Sequence, residues 1–335
     1  MDHLLSILAF MITISRFCLH LGGSSVGVNY GLLGDNLPPP DQVVSLLKSR
    51  NINKIRLFEP NPNVLEALHN SGIEVIIGTL NSDLPRLASD PSFATQWVQT
   101  NVLPHANSVT FRCITAANEV IPGDLAVHVV PAMKNLDAAV SALNLKIPVS
   151  TSVSLGVLGV SYPPSQGAFS EALASIMKPM ISFLASKNTP FLVNIYPYYA
   201  YKGDKSLPLD YALFKERNIF VQDGSLGYTN MFDAIVDSIY SSLEKMGGSN
   251  VEVIVSETGW PSGGNERGAT IDNAMAYNNN LVKHVNGNAG TPKRPGKGTE
   301  TYLFALFNEN LKKPGIEQNF GLYHPDMSEV YHVDF

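Results

Sequence analysis

The chain has 335 residues, 44% hydrophobic and 16% charged, which is enough apolar material for a large core and excludes a disordered chain. Its 23 basic and 29 acidic residues leave a formal net charge of −6, and no Lys/Arg run exceeds two residues, so a nucleic-acid footprint is excluded. Residues 1–25 read as a secretory signal peptide: Leu4 to Ile14 is apolar apart from Ser6 and Thr13, and the small residues Gly22, Gly23, Ser24 and Ser25 precede Val26. A membrane span needs roughly 20 apolar residues, so this stretch is too short to cross a bilayer. Cys18 falls in that segment, which leaves Cys113 alone in the mature chain and no intramolecular disulfide. Cys113 is expected to be a small buried hydrophobe.

From Val26 onward, β-rich runs alternate with stretches of helical spacing. The predicted strands are Val26–Tyr30, Lys54–Phe58, Glu74–Gly78, Ser108–Thr115, Lys146–Ser152, Phe191–Ile195, Val251–Val255 and Tyr302–Leu306. Asp41–Lys48 and Met231–Ile239 carry the 3.6-residue period of amphipathic helices, and Pro38-Pro39-Pro40 is a rigid entry to the first of them. Strands alternating with helices imply a parallel sheet, and eight of them imply a (β/α)₈ TIM barrel over residues 26–335 as one domain. The longest interval, from the sixth strand to the seventh, holds Tyr196-Pro-Tyr-Tyr-Ala-Tyr201 and Phe214 to Asp223, and is expected to form a small extra subdomain beside the barrel mouth.

Two of these runs end on a carboxylate. Val251 to Val255 leads into Ser256-Glu257-Thr-Gly-Trp-Pro, and Val109 to Ala117 leads into Asn118-Glu119-Val-Ile-Pro. A charge at the end of a buried run is not there for packing. Period-two alternation groups Val251, Val253, Val255 and Glu257 on one face, and Leu303, Ala305, Phe307 and Glu309 on another. If those faces point into the barrel, Glu119, Glu257 and Glu309 converge above one core. Crowded like charges raise one another's pKa, so one carboxyl can stay protonated while another is ionised, the division that glycosidic bond cleavage needs. Asn118 points away from Glu119 in an ideal pleat, but a bulge would bring both into the cleft, where the amide could bind a sugar hydroxyl. Tyr30, Tyr196, Tyr199 and Trp260 fall at or just past strand ends, where aromatic faces suit stacking on sugar rings. The eight histidines are scattered without metal-ligand spacing, His105 and His128 read as surface residues, and neither a metal nor a cofactor is expected.

The motifs Gly27-Val-Asn-Tyr-Gly31, Asn118-Glu119-Val, Tyr162-Pro-Pro-Ser-Gln-Gly-Ala-Phe169, Val193-Asn-Ile-Tyr-Pro-Tyr198, Ser256-Glu-Thr-Gly-Trp-Pro-Ser262, Phe307-Asn-Glu-Asn-Leu-Lys312 and Phe320-Gly-Leu-Tyr323 resemble family 17 glycoside hydrolases in the family's order. The resemblance implies a retaining barrel hydrolase, a plant endo-1,3-β-glucanase, with a 1,3;1,4-β-glucanase or a catalytically weak glucan-binding defence protein as alternatives. It implies Glu257 as nucleophile and Glu119 as general acid/base. Glu309 and Lys312 would support them, with Glu317 as a further acid. Phe307 joins Tyr30, Asn118, Tyr196, Tyr199 and Trp260 as expected sugar contacts. The implied partner is a 1,3-β-glucan such as callose or fungal wall glucan, met by a secreted, monomeric protein in the apoplast or cell wall, the vacuole remaining open. Two departures stand out: Tyr199 replaces a frequent Phe, and Ala117 stands where the family usually has Gly. If that position needs positive φ, Ala117 costs roughly 1 kcal/mol or shifts Glu119.

Overall fold

The computed structural model describes residues 25–335; the expected signal peptide lies almost entirely outside the described residues. Eight strands close into a parallel barrel in chain order: β1 Val26–Asn29, β2 Lys54–Leu57, β3 Glu74–Gly78, β4 Thr110–Asn118, β5 Val149–Val153, β6 Phe191–Asn194, β7 Val253–Thr258 and β8 Thr301–Leu303. Each overlaps an expected strand, with bounds shifted by several residues in β4, β5 and β8. Every strand is paired on both sides, β8 with β1 closing the ring, so the barrel has no exposed edge.

The connecting helices start where local chemistry dictates. Pro40 opens Pro40–Ser49 at its first turn, where a missing N–H costs nothing, and Val43, Val44 and Leu47 form its buried face. Asn61 and Asp90 accept the first free amides of Pro62–Ala67 and Pro91–Asn101. Asn230 does the same for Met231–Lys245 through the Asp233 amide.

The barrel interior is not where strict alternation of β7 suggested. Ile76, Cys113, Leu192, Ile254 and Tyr302, from five different strands, form a separate apolar cluster across the barrel axis. Val251, Val253 and Val255 instead join the layer between strands and helices. A bulge between Val255 and Glu257 in the pairing with β6 then resets the parity, so Glu257 swings to the barrel mouth although its valines face outward. The grouping of Leu303, Ala305, Phe307 and Glu309 fails in a related way. Tyr302 fills the interior, β8 stops at Leu303, and Glu309 arrives from the loop that follows. Gly27 is required by this interior, because a Cβ there would lie 2.7 Å from the Tyr302 ring. Cys113 is free and fully buried, and burial pushes its thiol up to about 12.

The sixth-to-seventh connection carries the helices Pro197–Gly203 and Leu209–Ala212 and an antiparallel hairpin of Val221–Asp223 with Leu226–Tyr228. The extra substructure is wider than expected, since the fifth-to-sixth connection adds a second hairpin, Leu158–Val160 with Ala168–Phe169. Ser165 ties the two together: its amide and hydroxyl donate to Asp223 at 2.6 and 2.7 Å.

Candidate active site

A cleft of about 1010 Å³ opens over the C-terminal ends of the strands, the end at which barrel enzymes place their chemistry. Glu119, Glu257, Glu309, Lys312, Glu317, Asn118, Tyr30, Tyr196 and Tyr199 all line it.

Beneath the carboxylates lies Arg56, a residue whose role the sequence reading missed. It sits on β2 and is 1% exposed. Its Nη1 donates to Glu257 Oε1 at 2.8 Å and to the Ser256 carbonyl at 3.1 Å, while Nη2 donates to Asn118 Oδ1 at 2.7 Å. The Phe58 ring lies 4.7 Å from its guanidinium carbon. A signal was available: Lys54-Ile-Arg-Leu57 alternates charged and apolar residues, and helices cover the outer face of a barrel strand, so the charged face has to point inward.

Asn194, at the end of β6, is the second missed residue. Its Nδ2 donates to Glu257 Oε1 at 2.8 Å and to Glu119 Oε1 at 2.8 Å. Those two carboxylate oxygens are therefore separated by no more than twice that distance. The amide is oriented by its own oxygen, which accepts from the hydroxyls of Ser152 at 2.9 Å and Ser256 at 2.7 Å. On the other side, the Tyr196 hydroxyl donates to Glu257 Oε2 at 2.8 Å. Burial, followed by the charge of Glu257, raises the Tyr196 pKa well above normal, so this phenol remains a donor. Glu257 thus accepts from three groups, the acceptor-only role that a carboxylate fills.

Glu119 differs in its electrostatics. Burial and then the nearby negative charge of Glu257 raise its pKa above the ordinary glutamate range, against opposing pulls from Asn194 and Arg56. Its position depends on an unusual strand end. A register shift between Thr115 and Asn118 bulges β4, and both Ala117 and Glu119 take left-handed backbone conformations, with φ of 65° and 56°. The Ala117 amide donates to Thr79 Oγ1 at 3.0 Å, the Asn118 amide to Asn81 Oδ1 at 2.8 Å, and the Glu119 amide to the Ser152 carbonyl at 2.9 Å. These neighbours over-determine a conformation that alanine resists, and Asn118 and Glu119 both reach the cleft.

Glu309 is 2% exposed; its Oε1 accepts from the Leu33 amide at 2.7 Å, and Lys312 Nζ lies 3.4 Å from its other oxygen. Lys312 also stands 4.0 Å above the Phe304 ring. Gly31 is compulsory beside them, because a Cβ there would collide with the Glu309 carboxylate. Glu317 accepts from the Tyr199 hydroxyl at 2.8 Å, so the tyrosine that replaces phenylalanine links two walls of the cleft.

Two expected sugar contacts are corrected. Trp260 is fully buried, donates Nε1–H to the Gly268 carbonyl at 2.7 Å, and packs among Tyr198, Tyr201 and Tyr277. Phe307 is 2% exposed and packs between Tyr30 and Tyr323. Neither lines the cleft. Both are core residues. The aromatic lining comes instead from Phe58, Phe304 and Phe320 alongside the tyrosines.

Residues 26–335 match the family model described as Glycosyl hydrolases family 17. The chain belongs to this family. It is 57% identical over 94% of its length, and 98% of the relative's, to a Hordeum vulgare protein named "Putative glucan endo-1,3-beta-glucosidase GVI". It is 48% identical to a glucan endo-1,3-beta-glucosidase of Vitis vinifera, covering 94% of this chain and 93% of that one. Among solved structures, a beta-1,3-glucanase and allergen of Cryptomeria japonica pollen superposes with a TM-score of 0.90 at 48% identity, covering 92% of this chain and 98% of that one. One of two plant beta-glucan endohydrolases with distinct substrate specificities superposes with a TM-score of 0.89 at 45% identity, covering 92% of this chain and all of that one.

Proposed function

We propose that this family 17 hydrolase is a secreted plant endo-1,3-β-glucanase that cleaves with retention, using Glu257 as nucleophile and Glu119 as general acid/base. The observation that carries the mechanism is the single Asn194 Nδ2 at 2.8 Å from an oxygen of each carboxylate. Retaining glycosidases hold their carboxyl groups about 5–5.5 Å apart, whereas inverting ones need about 6.5–9.5 Å to admit water. A shared donor supports the shorter spacing.

In the first step a Glu257 oxygen attacks C1 of the sugar while Glu119 passes its proton to the departing glycosidic oxygen. The raised pKa keeps that proton available. The C1–O bond to the leaving chain breaks and a glycosyl ester on Glu257 forms. In the second step Glu119, now a carboxylate, takes a proton from water. The water oxygen bonds to C1 and Glu257 is released. Asn118, held by Arg56, is positioned to meet the sugar 2-hydroxyl. Glu309, Lys312 and Glu317 shape the charge of the flanking cleft.

The names of the Hordeum and Vitis relatives favour 1,3-linkages, and the open cleft suits internal cleavage of a polymer such as callose or fungal wall glucan. NMR of products from a linear 1,3-β-glucan oligosaccharide provides the test. First-formed β-anomers are expected; α-anomers would overturn retention, and preferential digestion of mixed-linkage 1,3;1,4-β-glucan would overturn the substrate.

A further inference from the structure

Glu66, His69 and His105 meet at the end of the barrel opposite the cleft. Glu66 lies in the helix Pro62–Ala67, His69 follows that helix, and His105 closes the short turn Leu103–His105. The first two belong to the connection entering β3 and the third to the connection entering β4, so the cluster spans two neighbouring β/α units. The backbone fixes this meeting, with the Asn70 amide donating to the Ser108 carbonyl at 2.7 Å. His69 Nε2 and His105 Nδ1 are 2.7 Å apart, and Glu66 Oε1 is 3.6 Å from His69 Nδ1. One ligand atom from each residue can be chosen so that all three lie within 4.8 Å of one another. None of the three lines the cleft.

We propose that Glu66, His69 and His105 form a surface site for a divalent first-row transition cation such as Zn²⁺, which clamps the two units together. Two imidazole nitrogens and one carboxylate are a borderline-soft donor set, better suited to Zn²⁺ than to Mg²⁺ or Ca²⁺. The imidazoles already share one proton, and a metal ion would take its place. Zinc–nitrogen bonds of about 2.0–2.1 Å in tetrahedral geometry place ligand nitrogens roughly 3.3 Å apart, so the rings open by about half an ångström. The Glu66 side chain is 73% exposed and can swing in, leaving the fourth position to water.

A cation that binds the folded chain alone raises its melting temperature by mass action. The test is thermal unfolding of chelator-stripped protein with and without Zn²⁺, together with calorimetric titration of Zn²⁺. The wild type is expected to gain roughly 3–6 °C at a hundredfold excess over Kd, with one site per chain, and Mg²⁺ to give no shift. His69→Gln and His105→Gln are expected to lose the shift, each measured against its own metal-free melting temperature. An absent shift in the wild type, or an equal shift in both variants, would overturn the site. Should a histidine variant not fold, Glu66→Gln carries the test, with at least about tenfold weaker Zn²⁺ binding expected. Unchanged affinity in that variant would count against the proposal. Glucan hydrolysis is expected to be the same with and without Zn²⁺, because the cluster is remote from the cleft.

Discussion

Lys54 and Arg56 stand two residues apart on one face of β2, and each ends in a charged cluster of opposite character. At the N-terminal end of the barrel, Lys54 lies 3.0 Å from Glu74 and 3.7 Å from Glu300, while Arg112 lies 3.0 Å from Glu300. Two cations meet two anions, and Tyr302 adds a hydroxyl to Glu300 at 2.8 Å. At the C-terminal end Arg56 faces Glu257 and Glu119 beneath an open cleft that also holds Glu59, Glu309 and Glu317, with Lys312 as the cation in the lining. The balanced cluster borders only a small cavity of about 220 Å³. The acid-rich one keeps a carboxyl protonated above its usual range and leaves space for a ligand. Acid excess combined with open volume marks the functional end more clearly than burial or charge alone.

Exchanging one carboxylate at each end should break this comparison most sharply. Glu257→Gln is expected to lower kcat on 1,3-β-glucan by at least about a thousandfold with the circular dichroism spectrum unchanged. Glu300→Gln is expected to keep kcat within a few-fold while costing roughly 1.5 kcal/mol in denaturant unfolding, the scale of lost hydrogen bonds to a charged, part-buried group. Large loss of turnover in the second variant, with stability intact, would erase the distinction. Next in size is Arg56→Lys, which keeps the charge but loses the fork that reaches Glu257 and Asn118 together. About a hundredfold lower kcat is expected, since misplacement by about 1 Å costs that much.

The electrostatic half of the comparison can be sharpened by titration. In Glu257→Gln, carbon-13 NMR of labelled glutamate should find the Glu119 pKa lower than in the wild type, because the larger of the two neighbouring charges that raise it, Glu257 ahead of Glu317, has gone. The raised value also has a sign in stability. The folded protein holds a proton that the unfolded chain has lost above about pH 4.3, so this group's contribution falls as pH rises from there to the folded pKa. Glu119→Gln should remove that part of the pH slope. The smallest effect concerns backbone strain. Ala117 at φ 65° pays roughly 1–2 kcal/mol, partly offset because glycine has more unfolded-state freedom to lose, so Ala117→Gly should stabilise by about 0.5–1 kcal/mol in chemical denaturation.

The eight strands, their order and the arrival of Glu119 and Glu257 at strand ends were legible in the linear chain. Apolar runs of the right length separated by capped amphipathic helices leave a parallel barrel as the simplest way to bury them. Glu309, Lys312 and Glu317 were legible through family motifs, not through alternation, since β8 is too short to carry them. Face assignment was the main casualty. Bulges in β4 and β7 shift the side-chain period by one, and a bulge leaves no reliable mark in residue type. Aromatic placement failed for the same kind of reason, because Trp260 and Phe307 have equal chemical reason to stack on a sugar or to fill a core.

The amino-acid sequence alone determined which segments become strands and which carboxylates end them, because those outcomes follow from local periodicity and the cost of burying charge. Tertiary structure decided which way each strand faces and which aromatics reach the cleft. It also decided that Arg56 and Asn194, 138 positions apart in the sequence, interact at 3.4 Å below Glu257. Closing the ring brings β2, β4, β6 and β7 to a common centre, and no local pattern in any one of those strands records its partners across the barrel.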